Sequence, residues 1–148
     1  MDFPILEITD DRLAEPWLQK YFHPNGLQCP RCGASVHQSS PFGPARRHPV
    51  TAHRCRHCRK VYTVYAGTLF ANKHLRPSQV ILLLRGVCKG ESTASLAREL
   101  ELAYDTVHHL RQQIQQNARH LQPETPLPDA VTETDEMFQN AGEKRRKT

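Results

Sequence analysis

Apolar residues recur at helical spacing over the middle third of the chain. Residues 78–89 follow Pro77 and predict one helix, which Gly90 is placed to end. Four apolar residues form its predicted inward face: Val80, Leu83, Leu84 and Val87. Cys88 falls in the same stretch, where its apolar surroundings favour packing in the core over a chemical role.

Two further helices are predicted after this one. Ser92 is a suitable N-cap for the first, a break follows at residues 101–104, and the second runs from about residue 105 to residue 120. Their predicted core positions are Leu96, Ala97, Leu100, Val107, Leu110 and Ile114. Short helices joined by a tight turn are typical of a helix-turn-helix, and a plain amphipathic bundle is the alternative.

The outward face of the last helix carries polar side chains suited to reading DNA bases. A glutamine can pair with adenine, an aspartate can accept from cytosine, and a histidine can donate to guanine. The predicted base-contacting residues are Asp105, His108, His109, Gln112, Gln116 and Arg119, of which the first four are favoured. The alternative interpretation is a solvated outer face with no partner.

Shorter elements precede these helices. The acidic segment 1–24 is predicted to be helical, and residues 39–44 (Ser-Ser-Pro-Phe-Gly-Pro) predict a loop because they are rich in residues that break regular structure. Residues 60–65 have the composition of a strand, which Gly67 ends.

Charge is distributed unevenly along the sequence. Residues 29–76 contain nine Lys or Arg, five His and no acidic residue, for a net charge of +9. The net charges of residues 1–28, 77–122 and 123–148 are −3, +1 and −2. So basic a block is typical of polyanion binding, and a basic face that only keeps the chain in solution is the alternative. A membrane surface is a weaker partner, because the block lacks a long amphipathic helix.

Four of the five cysteines form two pairs, Cys29-Pro-Arg-Cys32 and Cys55-Arg-His-Cys58, with 22 residues between them. A two-residue gap lets a tight turn direct both thiolates at one metal, so each pair supplies half of a tetrahedral shell. Gly33 permits the backbone turn after the first pair. One structural Zn²⁺ is predicted, and its removal should unfold residues 25–70.

Other uses of the cysteines are less favoured. Disulfides are unusual in a cytosolic chain, and a redox Cys-x-x-Cys pair needs a βαβ context that the sequence lacks. An iron site of the rubredoxin type has the same ligands, and His53 and His57 are alternative ligands. The basic residues around the pairs are expected to lower the thiol pKa values, and all except Arg31 are predicted DNA contacts: Arg31, Arg54, Arg56, Arg59 and Lys60.

Together these elements predict a small α+β protein. A zinc ribbon of short antiparallel strands at 25–72 is followed by an all-α helix-turn-helix bundle at 75–121. The longest apolar run, at 80–84, is far shorter than the roughly 20 residues that span a bilayer, and no signal peptide is visible. The predicted location is therefore the cytoplasm.

The order of these parts resembles a known group of proteins. The chain is similar to the N-terminal half of bacterial insertion-sequence transposases, which begin with a zinc ribbon and continue into a DDE-type nuclease domain. The Gly-Thr-Leu-Phe segment is more particular to this group than the first cysteine pair. The segments that carry the resemblance are residues 26–33 (GLQCPRCG), 55–58 (CRHC), 62–70 (YTVYAGTLF), 95–100 (SLAREL), 104–107 (YDTV) and 133–138 (ETDEMF).

This resemblance implies that the ribbon and the helix-turn-helix bind double-stranded DNA at the terminal inverted repeats of an element. It also implies an RNase H-like nuclease domain with two divalent ions such as Mg²⁺, in which Asp135 matches the first metal carboxylate. An ordinary acid in a solvated tail is the alternative for Asp135. Thirteen residues follow Asp135, with Glu136 and Glu143 as their acids, so catalysis is not expected from this chain alone.

Residues 122–130 predict a linker, and residues 131–148 predict a remnant first strand with a disordered basic tail at 144–147. The leading hypothesis is a truncated, nucleoid-associated transposase that binds transposon ends, as a homo-oligomer or beside an intact transposase. A stand-alone transcriptional regulator built from the same two modules is the alternative. An active nuclease requires that the missing half be supplied by another polypeptide.

Overall fold

The computed structural model describes residues 10–44 and 50–121, which form a small α+β fold of four helices and a three-stranded antiparallel sheet. A single 3₁₀ turn at Val36–Gln38 precedes the sheet. The predictions for segment 122–130, segment 131–148 and Asp135 lie outside the described residues. The helices and strands are α1 (Asp11–Phe22), β1 (Ser39–Pro44), β2 (Thr51–Cys55), β3 (Val61–Tyr62), α2 (Pro77–Cys88), α3 (Thr93–Glu99) and α4 (Tyr104–His120).

Helix α1 connects the sheet to the rest of the protein. Asp10 caps its N-terminus by accepting from the Arg12 N–H at 2.9 Å. Further along, the Glu15 carboxylate accepts from the Thr51 N–H at 2.9 Å, which fixes the start of β2. The Asp11 carboxylate accepts from the Ser78 N–H at 2.9 Å and so satisfies one of the free donors in the first turn of α2.

The sheet has the order β1-β2-β3, and both pairings are antiparallel. The prediction of a loop at residues 39–44 is wrong, because these residues form β1, in which Ser39 lies opposite Cys55 of β2. A proline is tolerated here because β1 is an edge strand. The register shifts between Pro41 and Gly43. Gly43 has φ 87°, a backbone conformation that favours glycine because it has no β-carbon. Strand β3 is shorter than the predicted 60–65, because the chain turns after Tyr62.

The three predicted C-terminal helices are confirmed as α2, α3 and α4. Ser92 is the N-cap of α3 and accepts from the Ser95 N–H at 3.2 Å. The predicted core positions Leu84, Val87 and Ile114 are half-buried against the core. The other predicted core positions are buried: Val80, Leu83, Leu96, Ala97, Leu100, Val107 and Leu110.

Two of these helices end in the same hydrogen-bonded motif. At the end of α2, Gly90 has φ 75° and the Glu91 N–H donates to the Gly86 carbonyl at 3.0 Å. At the end of α3, Glu101 has φ 54° and the Leu102 N–H donates to the Ala97 carbonyl at 3.0 Å. Both are Schellman motifs, in which a left-handed residue reverses the chain tightly. The turn from α3 to α4 is therefore short and fixed.

The main core contains residues from all three predicted segments, 1–24, 25–72 and 75–121. It contains residues of α1 and α2–α4 together with Val50, Val64, Tyr65 and Phe70 from around the sheet. The Tyr65 hydroxyl donates to the Leu75 carbonyl at 3.0 Å and closes the connection into α2. A second, smaller core is formed by Leu27, Cys29, Cys55 and Tyr62. None of the described helices combines the length and the apolar character needed to cross a bilayer.

Candidate metal centre and polar helix face

The first cysteine turn, residues 29–34, is closed by two backbone hydrogen bonds. The Gly33 N–H donates to the Cys29 carbonyl at 2.9 Å, and the Cys29 N–H donates to the Ala34 carbonyl at 2.8 Å. Gly33 has φ 72°, a conformation in which glycine has no steric penalty. The turn directs the side chains of Cys29 and Cys32 to the same side.

The second cysteine turn, residues 55–60, repeats this geometry. The Arg59 N–H donates to the Cys55 carbonyl at 3.0 Å, and the Cys55 N–H donates to the Lys60 carbonyl at 2.9 Å. Arg59 has φ 63° and thus takes the conformation of Gly33 with a full side chain. The two turns are equivalent in both hydrogen bonding and backbone conformation.

The turns bring their four sulfur atoms together. All four Sγ atoms lie within 4.8 Å of one another, and the short separations join one turn to the other: 3.4 Å for Cys29–Cys58 and 3.6 Å for Cys32–Cys55. A disulfide needs about 2.0 Å, and all five cysteines are free. Four sulfurs about 2.3 Å from one tetrahedral ion lie about 3.8 Å apart. The four cysteines therefore fit a single metal ion.

Backbone N–H groups lower the pKa values of these thiols, and burial opposes them. Burial raises the pKa of Cys29, but the N–H groups of Arg31 and Cys32 and the neighbouring thiols outweigh it and bring the pKa to about 6. The Cys58 N–H lowers the pKa of Cys55. The Ala34 N–H lowers the pKa of Cys32, but burial and the other thiols raise it to about 12. The basic side chains expected from the sequence are not among these causes.

The remaining candidate ligands lie outside this cluster. Among the described residues, the group of donors that could hold an ion contains the four cysteines and neither His53 nor His57. The ring of His53 lies 5.8 Å from that of Tyr62, and burial lowers the pKa of His53. Cys88 is exposed, so its predicted packing in the core is wrong; it is the last residue of α2.

The basic residues beside the cysteines face solvent in large part. Arg31, Arg56, Arg59 and Lys60 are exposed, and none forms an ion pair with a residue that the structure describes. Arg54 is half-buried, and its guanidinium lies 3.8 Å from the centre of the Phe42 ring. A cation stacked on an aromatic ring keeps its charge and loses mobility.

The six residues of the polar face of α4 are all exposed: 105, 108, 109, 112, 116 and 119. The opposite face is anchored, since Val107 and Leu110 are buried and the Arg111 guanidinium donates to the Glu91 carbonyl in the turn before α3. Short contacts order the polar face itself. The Gln112 amide lies 3.1 Å from the His108 ring nitrogen, and the Tyr104 and His108 rings stack with centroids 6.0 Å apart.

Some residues of these surfaces had no signal in the sequence. Phe42 lies in the segment that composition assigns to a loop, and Arg111 occupies an ordinary polar position of a helix. Leu27 and Tyr62 pack against the cysteines, and no pattern in the sequence places them there.

Comparison with known proteins gives no family, no curated protein and no solved structure that matches this chain. The cysteine cluster and the polar face of α4 are therefore the two features from which a function can be argued.

Proposed function

We propose that this chain is a zinc-dependent protein that binds double-stranded DNA, with a zinc ribbon at 25–72 and a helix-turn-helix at 75–121. The observation that carries the proposal is α4, a 17-residue helix whose polar face is exposed while its other face is fixed in the core. At 1.5 Å per residue such a helix is about 25 Å long, and its diameter suits the major groove.

The four-thiolate centre supports the zinc assignment. Tetrahedral sulfur ligation is typical of Zn²⁺ and of iron, and the shell is complete, with no open position for a substrate. Cys29 and Cys55 are buried, so an ion here would stabilise the fold around Leu27 and Tyr62. The role of the metal in the proposal is structural.

The contacts that hold α4 support its role as the recognition helix. The Schellman motif at Glu101 sets the turn from α3, and the Arg111–Glu91 hydrogen bond ties α4 to the turn before α3. The Gln79 amide donates to the Leu100 carbonyl at 2.8 Å and joins α2 to the end of α3. Sequence-specific base contacts require a recognition helix whose orientation is fixed by contacts of this kind.

Phosphate contacts are assigned to the basic residues of the second cysteine turn. Arg56, Arg59 and Lys60 are exposed and without ion pairs among the described residues, so their charges are free to meet a polyanion. They position the duplex without reading its sequence, whereas α4 reads the bases.

The target proposed from the sequence resemblance is the terminal inverted repeat of an insertion element. Among the described residues no cluster of three or more carboxylates or histidines exists that could hold catalytic metal ions. Binding without strand cleavage is therefore the proposed activity of these residues. A transcriptional regulator that binds an operator is the second candidate, and the identity of the preferred sequence separates the two.

Selection from a random duplex library tests the base-reading assignment. The zinc-loaded wild type should enrich one sequence, and Gln112→Ala should relax the preference at one position by about 1–3 kcal/mol. Gln113→Ala is the matched control, since Gln113 is exposed on the same helix but rotated by about 100° from Gln112. Enrichment of no sequence by the wild type, or equal effects of both variants, would overturn the assignment.

A salt titration tests the phosphate assignment separately. Replacing Arg59 and Lys60 by Gln should weaken all duplexes to a similar degree. The slope of log affinity against log salt should become shallower by about 0.9 for each phosphate that the protein no longer neutralises. An unchanged slope would mean that these residues do not contact phosphate.

A further inference from the structure

An apolar groove lies on the sheet, and no residue of α4 lines it. Its volume is about 860 Å³, and it opens to solvent beside β3. Phe42 of β1 and Val61 of β3 contribute to its walls and are unusually exposed for apolar residues, at 51% and 38%. Neither the metal centre nor the proposed recognition helix accounts for this surface.

The charge carried by the lining of the groove is positive. Every residue that lines it lies between Pro30 and Asn72, within the block that contains no acidic residue. Lys60 is part of the lining, and the Arg54 guanidinium is held 3.8 Å from the centre of the Phe42 ring. An acidic peptide would also be attracted to these cations, but the pairing of Arg54 with an exposed aromatic ring favours a nucleotide.

Apolar walls and nearby cations are the two elements that single-stranded nucleic acids need. An unstacked base gains by stacking on an aromatic or apolar surface, and its phosphates gain from nearby Arg and Lys. In an intact duplex the faces of the bases are covered by their neighbours, so Phe42 could reach base edges and the backbone but could not stack on a base. A recessed apolar surface of this size therefore suits bases that have left the stack.

We propose that this groove binds unstacked bases of single-stranded DNA, with Phe42 and Val61 as the stacking surface and Arg54 and Lys60 as the phosphate contacts. The inference rests on the proposed DNA-binding function and adds to it a second, distinct substrate form. The chain would thus hold a duplex through α4 and an unpaired strand through the groove.

A comparison of two single strands isolates the base contribution. The zinc-loaded chain is titrated, by fluorescence anisotropy, onto oligothymidylate of about 12 nucleotides and onto an abasic strand of equal length and charge. The oligothymidylate should bind roughly tenfold more tightly, because stacking is available only to a strand with bases. Equal affinity for the two strands would overturn the proposal.

Substitutions at the groove locate the effect. Phe42→Ala should reduce the preference for bases to less than about twofold, and Phe42→Trp should keep it, since an indole also stacks. Leu13→Ala is the control, because Leu13 is 52% exposed on α1 and does not line the groove. Retention of one zinc per chain shows that the region around the cysteines is folded in each variant. A preference that survives Phe42→Ala in a folded protein would contradict the proposal.

Duplex binding measured on the same variants separates this inference from the proposed function. Phe42→Ala should leave the affinity for the selected duplex within about twofold, whereas Gln112→Ala should lower it and leave oligothymidylate binding unchanged. A wild type that prefers bases in single strands but binds no duplex would overturn the α4 proposal alone. Binding of an apolar peptide or a second copy in the groove, with no preference for bases, would overturn the inference alone.

Discussion

Arg59 holds in the second cysteine turn the left-handed backbone conformation that Gly33 holds in the first, with φ values of 63° and 72°. In each turn this residue donates its N–H to the carbonyl of the cysteine four positions earlier. The geometry of the paired cysteines thus imposes the same conformation on a glycine and on an arginine. Only the arginine has a β-carbon that this conformation disfavours.

Arg59→Gly should therefore stabilise the zinc-loaded protein by about 1 kcal/mol, because it removes the steric cost of a β-carbon in the left-handed region. Urea unfolding of wild type and variant measures the difference. Gly33→Ala, the reciprocal change in the equivalent turn, should destabilise by a similar amount. If Arg59→Gly lowers stability, the arginine side chain makes a contact that outweighs its backbone cost.

Loss of one cysteine ligand should release the metal. Cys55→Ser removes a buried member of the four-sulfur cluster, so tight binding of one zinc per chain should be lost. Cys88→Ser is the matched control and should keep full zinc stoichiometry, since Cys88 is exposed at the end of α2. Unchanged zinc content in the Cys55 variant would refute the ligand assignment.

The same loss of metal should affect only part of the fold. Leu27 and Tyr62 pack with the cysteines in the small core, whereas Val64 and Phe70 belong to the main core with the helices. Amide exchange of the zinc-free protein should show reduced protection around residues 27–62 and retained protection in α2. Uniform loss of protection would show that the metal supports the whole chain.

Gly86→Ala should destabilise the protein, against the general preference of helices for alanine. A β-carbon at this position would lie 2.2 Å from Cδ2 of Leu96, which is buried at the contact between α2 and α3. Overpacking of this kind costs about 1–3 kcal/mol, more than the roughly 1 kcal/mol gained by replacing a helical glycine. Thermal unfolding measures the balance.

A double variant shows whether this contact is responsible. Adding Leu96→Ala to Gly86→Ala should cost less than the sum of the two single effects, because the shortened side chain makes room for the new methyl group. Additive costs would show that contact with Leu96 is not the cause of the destabilisation by Gly86→Ala.

Glu15 should make stability depend on pH. Burial raises its pKa above the ordinary 4.5, although the hydrogen bonds from Thr51 lower it. The folded state therefore binds this proton more tightly than the unfolded state, so the contribution of Glu15 is full below pH 4.5 and is lost as the pH rises through the folded pKa. Glu15→Gln does not titrate and keeps an oxygen for the Thr51 N–H.

The stability of Glu15→Gln relative to wild type should therefore increase from pH 4.5 to neutral pH. Denaturant unfolding of both proteins with excess zinc at each pH gives the difference, in which effects of pH on the metal centre cancel. A difference that falls with rising pH would show that the hydrogen bonds from Thr51 outweigh burial.

The elements with a strong local signal were predictable from the sequence. Helices α2–α4 follow from apolar spacing and from the cap at Ser92, and the four-cysteine cluster follows from two pairs with equal gaps. Both signals are local, because they depend on residues within a turn or two of one another.

The features that depend on distant contacts were not predictable. Strand β1 contains two prolines and a glycine and forms because β2 supplies its hydrogen-bond partners. The groove requires Phe42 and Val61, from the two edge strands, to face the same space. The left-handed conformation of Arg59 is imposed by the turn, and no propensity of arginine indicates it.

Zinc-dependent duplex binding is best tested by titrating the zinc-loaded chain onto the sequence enriched by selection, in a duplex of about 20 base pairs. We expect saturable binding that weakens steeply between low and moderate salt, prefers the enriched sequence over a scrambled one, and falls when a chelator removes the zinc. Absence of saturable binding would contradict the proposed function. So would equal affinity for the enriched and the scrambled duplex, or an affinity that does not change when the zinc is removed.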